Sequence, residues 1–400
     1  MTDSPKPDRL QSLDVFRGGT IAGMILVNNP GTWGAMYGPL KHAEWHGLTP
    51  TDLVFPFFLF IMGVSMAFSF AKRQSVSSVV LWQQIITRTV LLFAFGFGLS
   101  MWGWTLRYIQ APEGTPPPWE NLRIFGVLQR ISLCFFLAAI AMVFLRTRGI
   151  IITAVTLLLG YWAAMRFIPV PGFAPGTLAF PGNLASHLDQ LILGTHAYKK
   201  IEIENVLYFH DPEGLLSTLP ATANVLLGCL AGRWLREPNR DGNEKVAGLA
   251  VAAFACIAVS AFWHYEFPIN KEIWTSSFTL MTSGLAMLTL AASYWLIDVR
   301  KIRTGTEPLH WLGMNPITAF VAASLYGSFS AIYRFMPAND PADPTKLIGL
   351  KTWMYNNLFL SWMPDLIGPL GTSFAYAVCT LVVFTMLAGV MYRNRIFLKV

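Results

Sequence analysis

The sequence predicts an all-α polytopic membrane protein, a bundle of about ten transmembrane helices with both termini in the cytoplasm. Three observations carry the prediction. The 400 residues are 54% hydrophobic and only 13% charged, whereas about a quarter of positions are charged in a soluble chain. The apolar residues fall in recurrent runs of about 20, the length that crosses a hydrocarbon core. The basic residues gather on alternate segments between those runs, as cytoplasmic loops require. The 29 Lys and Arg exceed the 22 Asp and Glu but form no patch or stripe, so the surplus is not a nucleic-acid footprint. The 29 Phe and 14 Trp spread along the whole chain exclude a disordered protein.

The runs place spans at 14–34, 51–71, 85–105, 122–145, 149–168, 215–235, 246–265, 274–297, 308–333 and 371–392, with 347–363 as a partly inserted or re-entrant eleventh segment. From a cytoplasmic N-terminus, the segments 72–84, 146–148, 236–245 and 298–307 and both termini lie inside. Eighteen basic residues then fall inside, among them Lys6, Arg9, Arg73 and Lys399, ten fall outside, and Arg130 alone lies in mid-membrane. The first ten residues, MTDSPKPDRL, lead into no apolar core with a cleavage site, so no removable signal peptide is expected. The outer segments 35–50, 106–121, 169–214 and 334–370 are long, rich in Pro and Gly, and carry His42, His46, His187, His196 and His210. Chemistry in solvent is expected on that face. Residues 1–400 read as a single transmembrane domain. Cys134, Cys229, Cys256 and Cys379 lie in apolar runs without CxxC or Cys/His spacing, which encodes neither a disulfide framework nor a zinc site.

The densest polar cluster opens the chain. Asp14 and Arg17, at i and i+3, share a helix face and read as a structural ion pair at the inner membrane surface. Asn28 lies fourteen residues further, about 21 Å along a helix. An amide in a span either packs helices by hydrogen bonding or serves a site in the bundle. The stretch GPLKHAEWHGLTPTDLVFP follows. His42 and His46 at i, i+4 could share a metal on a helix, but Gly47 and Pro50 break any helix there and no third ligand is apparent, so no metal is expected. Histidine as a residue type suits proton transfer to or from an attacking amine or hydroxyl, so His42 is either a catalytic base or an idle loop residue. Asp52 reads as a helix cap with Thr49 rather than as a partner for the histidine.

Gln129 and Arg130 fall about eight residues into the fourth span, roughly 12 Å below the outer surface. A buried arginine there is either functional or paired with a carboxylate such as Asp14. The run His210, Asp211, Pro212, Glu213, Gly214 has the composition of a tight turn, with a sugar contact by Asp211 or Glu213 as the sharper alternative. Trp274 reads as an interface anchor or, less simply, a stacking surface for a pyranose. Asn315–Pro316 predicts a kink whose freed backbone groups need partners or a ligand. No Walker loop, dinucleotide glycine motif, GxSxG elbow or cysteine nucleophile is present, so ATP-driven transport, redox chemistry and serine hydrolysis lose support.

The strings RLQSLDVFRGGTIAGMILVNN, LKHAEWHGLTPTDLVFPFFLFIMGVS, RIFGVLQRISLCFF, DPEGLLSTLPATANVLLGCLAG, NKEIWTSSFTLMTSGLAML and GMNPITAF together resemble the heparan-α-glucosaminide N-acetyltransferase family, in its bacterial branch of the transmembrane acyltransferases. The resemblance implies an enzyme of the bacterial inner membrane that moves acetyl from cytoplasmic acetyl-CoA to the amine of a glucosamine-type sugar, or of a glycan's terminal glucosamine, on the outer side. It implies His42 as the catalytic base and Asn28 as the oxyanion donor. Arg130, Gln129, Asn315 and Arg88 are the expected co-substrate contacts, and Asp211, Glu213, Trp274 and His46 the expected acceptor contacts. Asp14, Arg17 and Asp52 are structural. Family analogy alone adds a homodimer, and some members of the branch suggest an N-acetylglucosamine permease as the competing function.

Overall fold

In the computed structural model, residues 10–72, 77–112, 119–338, 343 and 345–398 are described. Lys6, Arg9, Arg73 and Lys399 of the charge argument and the N-terminal signal question lie outside them. The chain is mostly helical. Helices α1 (Gln11–Asn28), α2 (Val54–Lys72), α3 (Ser78–Ile109), α4 (Val127–Phe144) and α5 (Thr147–Phe167) form its first half. A short helix, α6 (Leu184–Ile192), and the hairpin β1 (Lys199–Ile203) to β2 (Val206–His210) stand in the long segment before α7 (Thr218–Leu235). Next come α8 (Gly242–Trp263), α9 (Ser276–Tyr294), α10 (Glu307–Met314) and α11 (Pro316–Ile332). A second hairpin, β3 (Arg334–Pro337) with β4 (Leu347–Gly349), precedes α12 (Leu350–Met354) and α13 (Pro364–Arg393). The helical fold class expected from the sequence is present, with two short hairpins added in polar loops where antiparallel pairing closes locally.

Among the described residues, seven helices are long and apolar enough to cross a membrane: α2, with the turn that leads into it, and α3, α4, α5, α8, α9 and α13. The other three predicted spans coincide with α1, α7 and the broken pair α10 and α11. The chain is a helical membrane protein by the distribution of its side chains. Large apolar residues such as Val251, Phe254 and Phe262 of α8 and Ile152, Val155 and Leu159 of α5 face outward. Polar groups are satisfied inside: Asn224 of α7 donates to the Thr279 carbonyl (3.1 Å) and to the hydroxyls of Thr282 (3.2 Å) and Ser283 (2.8 Å) of α9. In lipid, association rests on close packing and such interhelical bonds rather than on hydrophobic burial.

Small residues set the closest approaches. A β-carbon on Gly63 of α2 would stand 2.0 Å from the Val225 carbonyl oxygen of α7, and one on Gly228 would stand 2.1 Å from that of Phe60. The same mutual contact joins Gly18 of α1 to Leu309 and Gly313 of α10 to Asp14. Two helix pairs are thereby held backbone to backbone.

Three boundaries differ from the sequence reading. The fourth helix starts at Val127 after the extended stretch 122–126, so Gln129 and Arg130 lie in its first turn rather than two turns down. The ninth span breaks at Asn315 (φ −127°, ψ 52°), the expected kink, and the C-terminal tail supplies the partners: Asn315 Nδ2 donates to the Ile396 carbonyl (2.9 Å) and its Oδ1 accepts from the Leu398 amide (3.0 Å). The last helix begins at Pro364, earlier than expected, with a break at Gly368 (φ 70°) before Pro369.

Candidate active site

Beyond the C-terminal end of α1, residues 29–53 run without a regular helix and turn twice, at Gly38–Leu40 and Pro50–Leu53. The second turn is fixed by a capping box between Thr49 and Asp52, the reciprocal arrangement that satisfies the first orphan amides of a helix. Asp52 is fully buried. Its Oδ2 accepts the amides of Thr49 (3.0 Å) and Ala43 (3.2 Å), while its Oδ1 faces His42 Nδ1 at 2.6 Å. The capping role expected for Asp52 is therefore present, but the preference for capping over a histidine contact is corrected. One carboxylate has two oxygens, and each does one of the two jobs. An ionised carboxylate only accepts hydrogen bonds, so in a neutral imidazole this contact fits the tautomer with the proton on Nδ1 and the lone pair on Nε2. About half of the His42 side chain is exposed, which leaves Nε2 accessible.

Lys271 completes the group. Its Nζ lies 3.0 Å from Nδ1 and 3.1 Å from Nε2 of His42, and 3.8 Å from Asp52 Oδ1. Near-equal distances to both ring nitrogens put the ammonium beside the ring rather than in line with one lone pair. Burial lowers the Lys271 pKa, against the opposing pull of Asp52, Glu213 and Glu272. The loop that carries Lys271 is docked on the histidine segment, since Gly47 N donates to the Ile269 carbonyl (2.8 Å) and Asn270 Nδ2 lies 3.3 Å from His46 Nδ1. His46 thus braces this loop, and burial with the neighbouring His264 charge lowers its pKa.

A second charged cluster lies behind Lys271. Arg123, in the extended stretch before α4, bonds Asp211 through Nε (2.9 Å) and Nη2 (2.6 Å) and also bonds Glu213. Asp211 further accepts the amides of Tyr198 (3.0 Å) and Glu213 (2.9 Å). Burial opposes the Arg123 charge, but the two carboxylates hold its pKa above the ordinary value. The expected sugar contacts at Asp211 and Glu213 are corrected: both are buried and committed to Arg123, because the turn they form must neutralise a guanidinium out of water. Alongside, His210 is buried with Nδ1 3.1 Å from Ser186 Oγ and 3.4 Å from Asp189 Oδ2, and Nε2 3.7 Å from Glu272 Oε2. Burial alone would lower its pKa, but the acceptor carboxylates of Asp189 and Glu272 raise it. Glu272, opposed by burial but bonded to His210 and Lys199 (2.7 Å), is held down to about 2.

Arg130 is fully buried, donates to the Gly214 carbonyl (2.9 Å) and to Ser217, and lies over the Trp274 ring (5.1 Å). Asp14 is not its partner; Asp14 pairs with Arg17 at 3.0 Å, as expected. Trp274 is 1% exposed and donates to Asn224 Oδ1 (2.9 Å). Both expectations for Trp274 are corrected, since an anchor needs the bilayer surface and a stacking platform needs an open face. Gln129 is pinned to the Ile124 carbonyl (2.9 Å), and Asn315, with both ends of its amide on the tail, is a clasp rather than a ligand contact. Asn28, the last residue of α1, is exposed, and its side chain makes no hydrogen bond among the described residues.

A cavity of about 440 Å³ opens within the bundle between α1, α2, α3, α4, α11 and the tail. Its walls are apolar, with Ile21, Phe58, Ile131 and Phe320 among them, and its polar groups are Arg17, Ser65 and Arg88. Arg17 Nη2 donates to Ser65 Oγ at 2.7 Å. Helix α1 links this cavity to the histidine segment: Arg17 and Ile21 line it, and Asn28 ends the helix about 16 Å beyond Arg17.

The fold and this geometry define a polytopic helical protein that carries a buried carboxylate, an imidazole and a lysine at one end of its bundle and an arginine-bearing apolar cavity within it. Residues 9–197 match the family described as heparan-alpha-glucosaminide N-acetyltransferase, catalytic. The chain is 30% identical to heparan-alpha-glucosaminide N-acetyltransferase of Homo sapiens over 373 residues, which cover 82% of this chain and 54% of that protein. With the Mus musculus protein of the same name it shares 31% over 362 residues, covering 78% and 53%. The chain is similar to these proteins over most of its own length and spans about half of theirs. The matched catalytic region contains Asn28, His42 and Asp52; Lys271 lies outside it.

Proposed function

We propose that this protein is a transmembrane acetyltransferase, acting through residues 1–400 as one domain, which transfers acetyl from cytoplasmic acetyl-CoA to the amine of a glucosamine-type sugar across a bacterial inner membrane. Ten crossings leave both termini inside and the histidine segment outside. The observation that carries the reading is the His42–Asp52 contact inside the region matched to the catalytic family. Asp52 holds the proton on Nδ1, so Nε2 is free to remove a proton from the attacking amine. The tetrahedral oxyanion then needs a donor, and Asn28 supplies its amide N–H. The acceptor class rests on the relatives' name. The co-substrate half is supported by the cavity, whose apolar walls suit the pantetheine arm and whose Arg17 and Arg88 suit phosphate oxygens through charge-assisted bonds.

The test is an assay of purified protein with acetyl-CoA and glucosamine that follows free CoA thiol and N-acetylglucosamine together. Equimolar release, reduced about a hundredfold or more in His42→Ala, supports the reading. Uptake of intact sugar into vesicles with no thiol released overturns it in favour of a permease.

A further inference from the structure

The proposed reaction requires an amine within hydrogen-bond reach of His42 Nε2, and the chain provides one of its own. Lys271 Nζ is 3.1 Å from that nitrogen, and its side chain is 18% exposed, so it is not sealed off from solvent. Asp52 occupies the other ring nitrogen, at 2.6 Å. Under the proposed function the base that serves the external acceptor therefore also lies within reach of this lysine.

We propose that Lys271 is an acetylation site, an internal acceptor that takes the acetyl group of acetyl-CoA when no amino sugar occupies the site. The inference rests on the acetyltransferase reading above. His42 Nε2 removes one proton from the Lys271 ammonium, and the freed lone pair forms a C–N bond to the thioester carbonyl carbon. Collapse of the tetrahedral adduct breaks the C–S bond. Of the two protons the nitrogen loses in becoming an amide, one ends on the CoA thiolate and the other passes through the half-exposed imidazole to solvent. No oxidant or second cofactor is needed. Burial favours the uncharged amine that this step requires. The product is neutral, so it loses its attraction to Asp52, and it fills the place of the sugar amine. The modified protein is inactive toward sugar.

The experiment incubates the full-length protein in liposomes with acetyl-CoA and no sugar, then maps acetyl groups on tryptic peptides by mass spectrometry over time. The expected result is occupancy at Lys271 that rises toward one per chain, at least tenfold faster than at the exposed Lys41 and Lys200, with a parallel loss of transfer to glucosamine added later. Glucosamine present from the start protects Lys271, and His42→Gln abolishes its advantage over the surface lysines. Sugar acetylated by the same preparation while Lys271 stays unmodified, or modified no faster than Lys41, overturns this inference and leaves the acetyltransferase reading intact. Neither sugar nor Lys271 acetylated overturns both.

Discussion

At the scale of single residues, the account turns on which ring nitrogen of His42 holds the proton. In Asp52→Asn the amide oxygen keeps the bonds from Thr49 and Ala43, so the NH₂ group faces Nδ1 and donates to it. Nδ1 then accepts, the proton moves to Nε2, and the base is lost. The expected result is a kcat lower by about 10²–10⁴ with little change in KM and an unchanged circular dichroism spectrum; unaltered kcat would mean that Asp52 is only a cap. The charged cluster behind the site makes a separate pH prediction. Glu272 is depressed in the folded state to about 2 from an ordinary 4.5, so its contribution to stability is present above pH 4.5 and is lost as pH falls toward 2. His210, raised above 6.5, contributes below pH 6.5 and loses its contribution as pH rises through its folded value. Thermal melts in detergent across pH, with Glu272→Gln as comparison, check the acid limb: the variant's melting temperature should fall less steeply between pH 4.5 and 2.

At the scale of elements, hydropathy located the helices well because an apolar run in a membrane has to satisfy its backbone internally, and seven of the described helices are long and apolar enough to cross one. It located helix ends less well. The start of α4 is set by an extended stretch that hydropathy reads as apolar, and α13 begins at Pro364, ahead of its internal Gly368–Pro369 break. Close helix contacts give a mutational contrast. Gly63→Val drives a side chain into the Val225 carbonyl region of α7, whereas a β-carbon at Gly19 of α1 meets nothing within 4 Å. Gly63→Val should lose at least about 1–3 kcal/mol, seen as a lower melting temperature and poorer monodisperse yield in detergent. Gly19→Ala should melt at or slightly above the unmodified protein, since alanine has the better helix propensity. The Asn315 clasp gives a functional counterpart. It holds residues 396 and 398, and Phe397 and Leu398 wall the cavity, so Asn315→Ala should raise the KM for acetyl-CoA more than it lowers kcat.

At the scale of the whole molecule, the candidate site was half legible. His42, Asp52 and Asn28 lie close together in the chain, in strings whose spacing can be read directly. Lys271, Arg123 and Glu272 carry no local signal, because the partners His42, Asp211 and Lys199 are 73 to 229 positions away and only the fold brings them together. Trp274 and Arg130 were misjudged for the same reason: their burial depends on helices packing around them. The one sequence signal for the lysine was its place in NKEIW, just before a span. The bundle keeps two features apart, an arginine-bearing apolar cavity along the first half of α1 and the His42, Asp52 and Lys271 group beyond its other end, which under the proposed function would serve donor and acceptor respectively. A separation along the membrane normal is useful only if donor and acceptor approach from opposite sides.

The most direct measurement of that claim uses liposomes of defined protein orientation, loaded with glucosamine on one side and given labelled acetyl-CoA on the other. The account predicts labelled N-acetylglucosamine in the sugar compartment, CoA thiol left in the donor compartment, and neither with His42→Ala. Product formed only when both substrates share a compartment would contradict it.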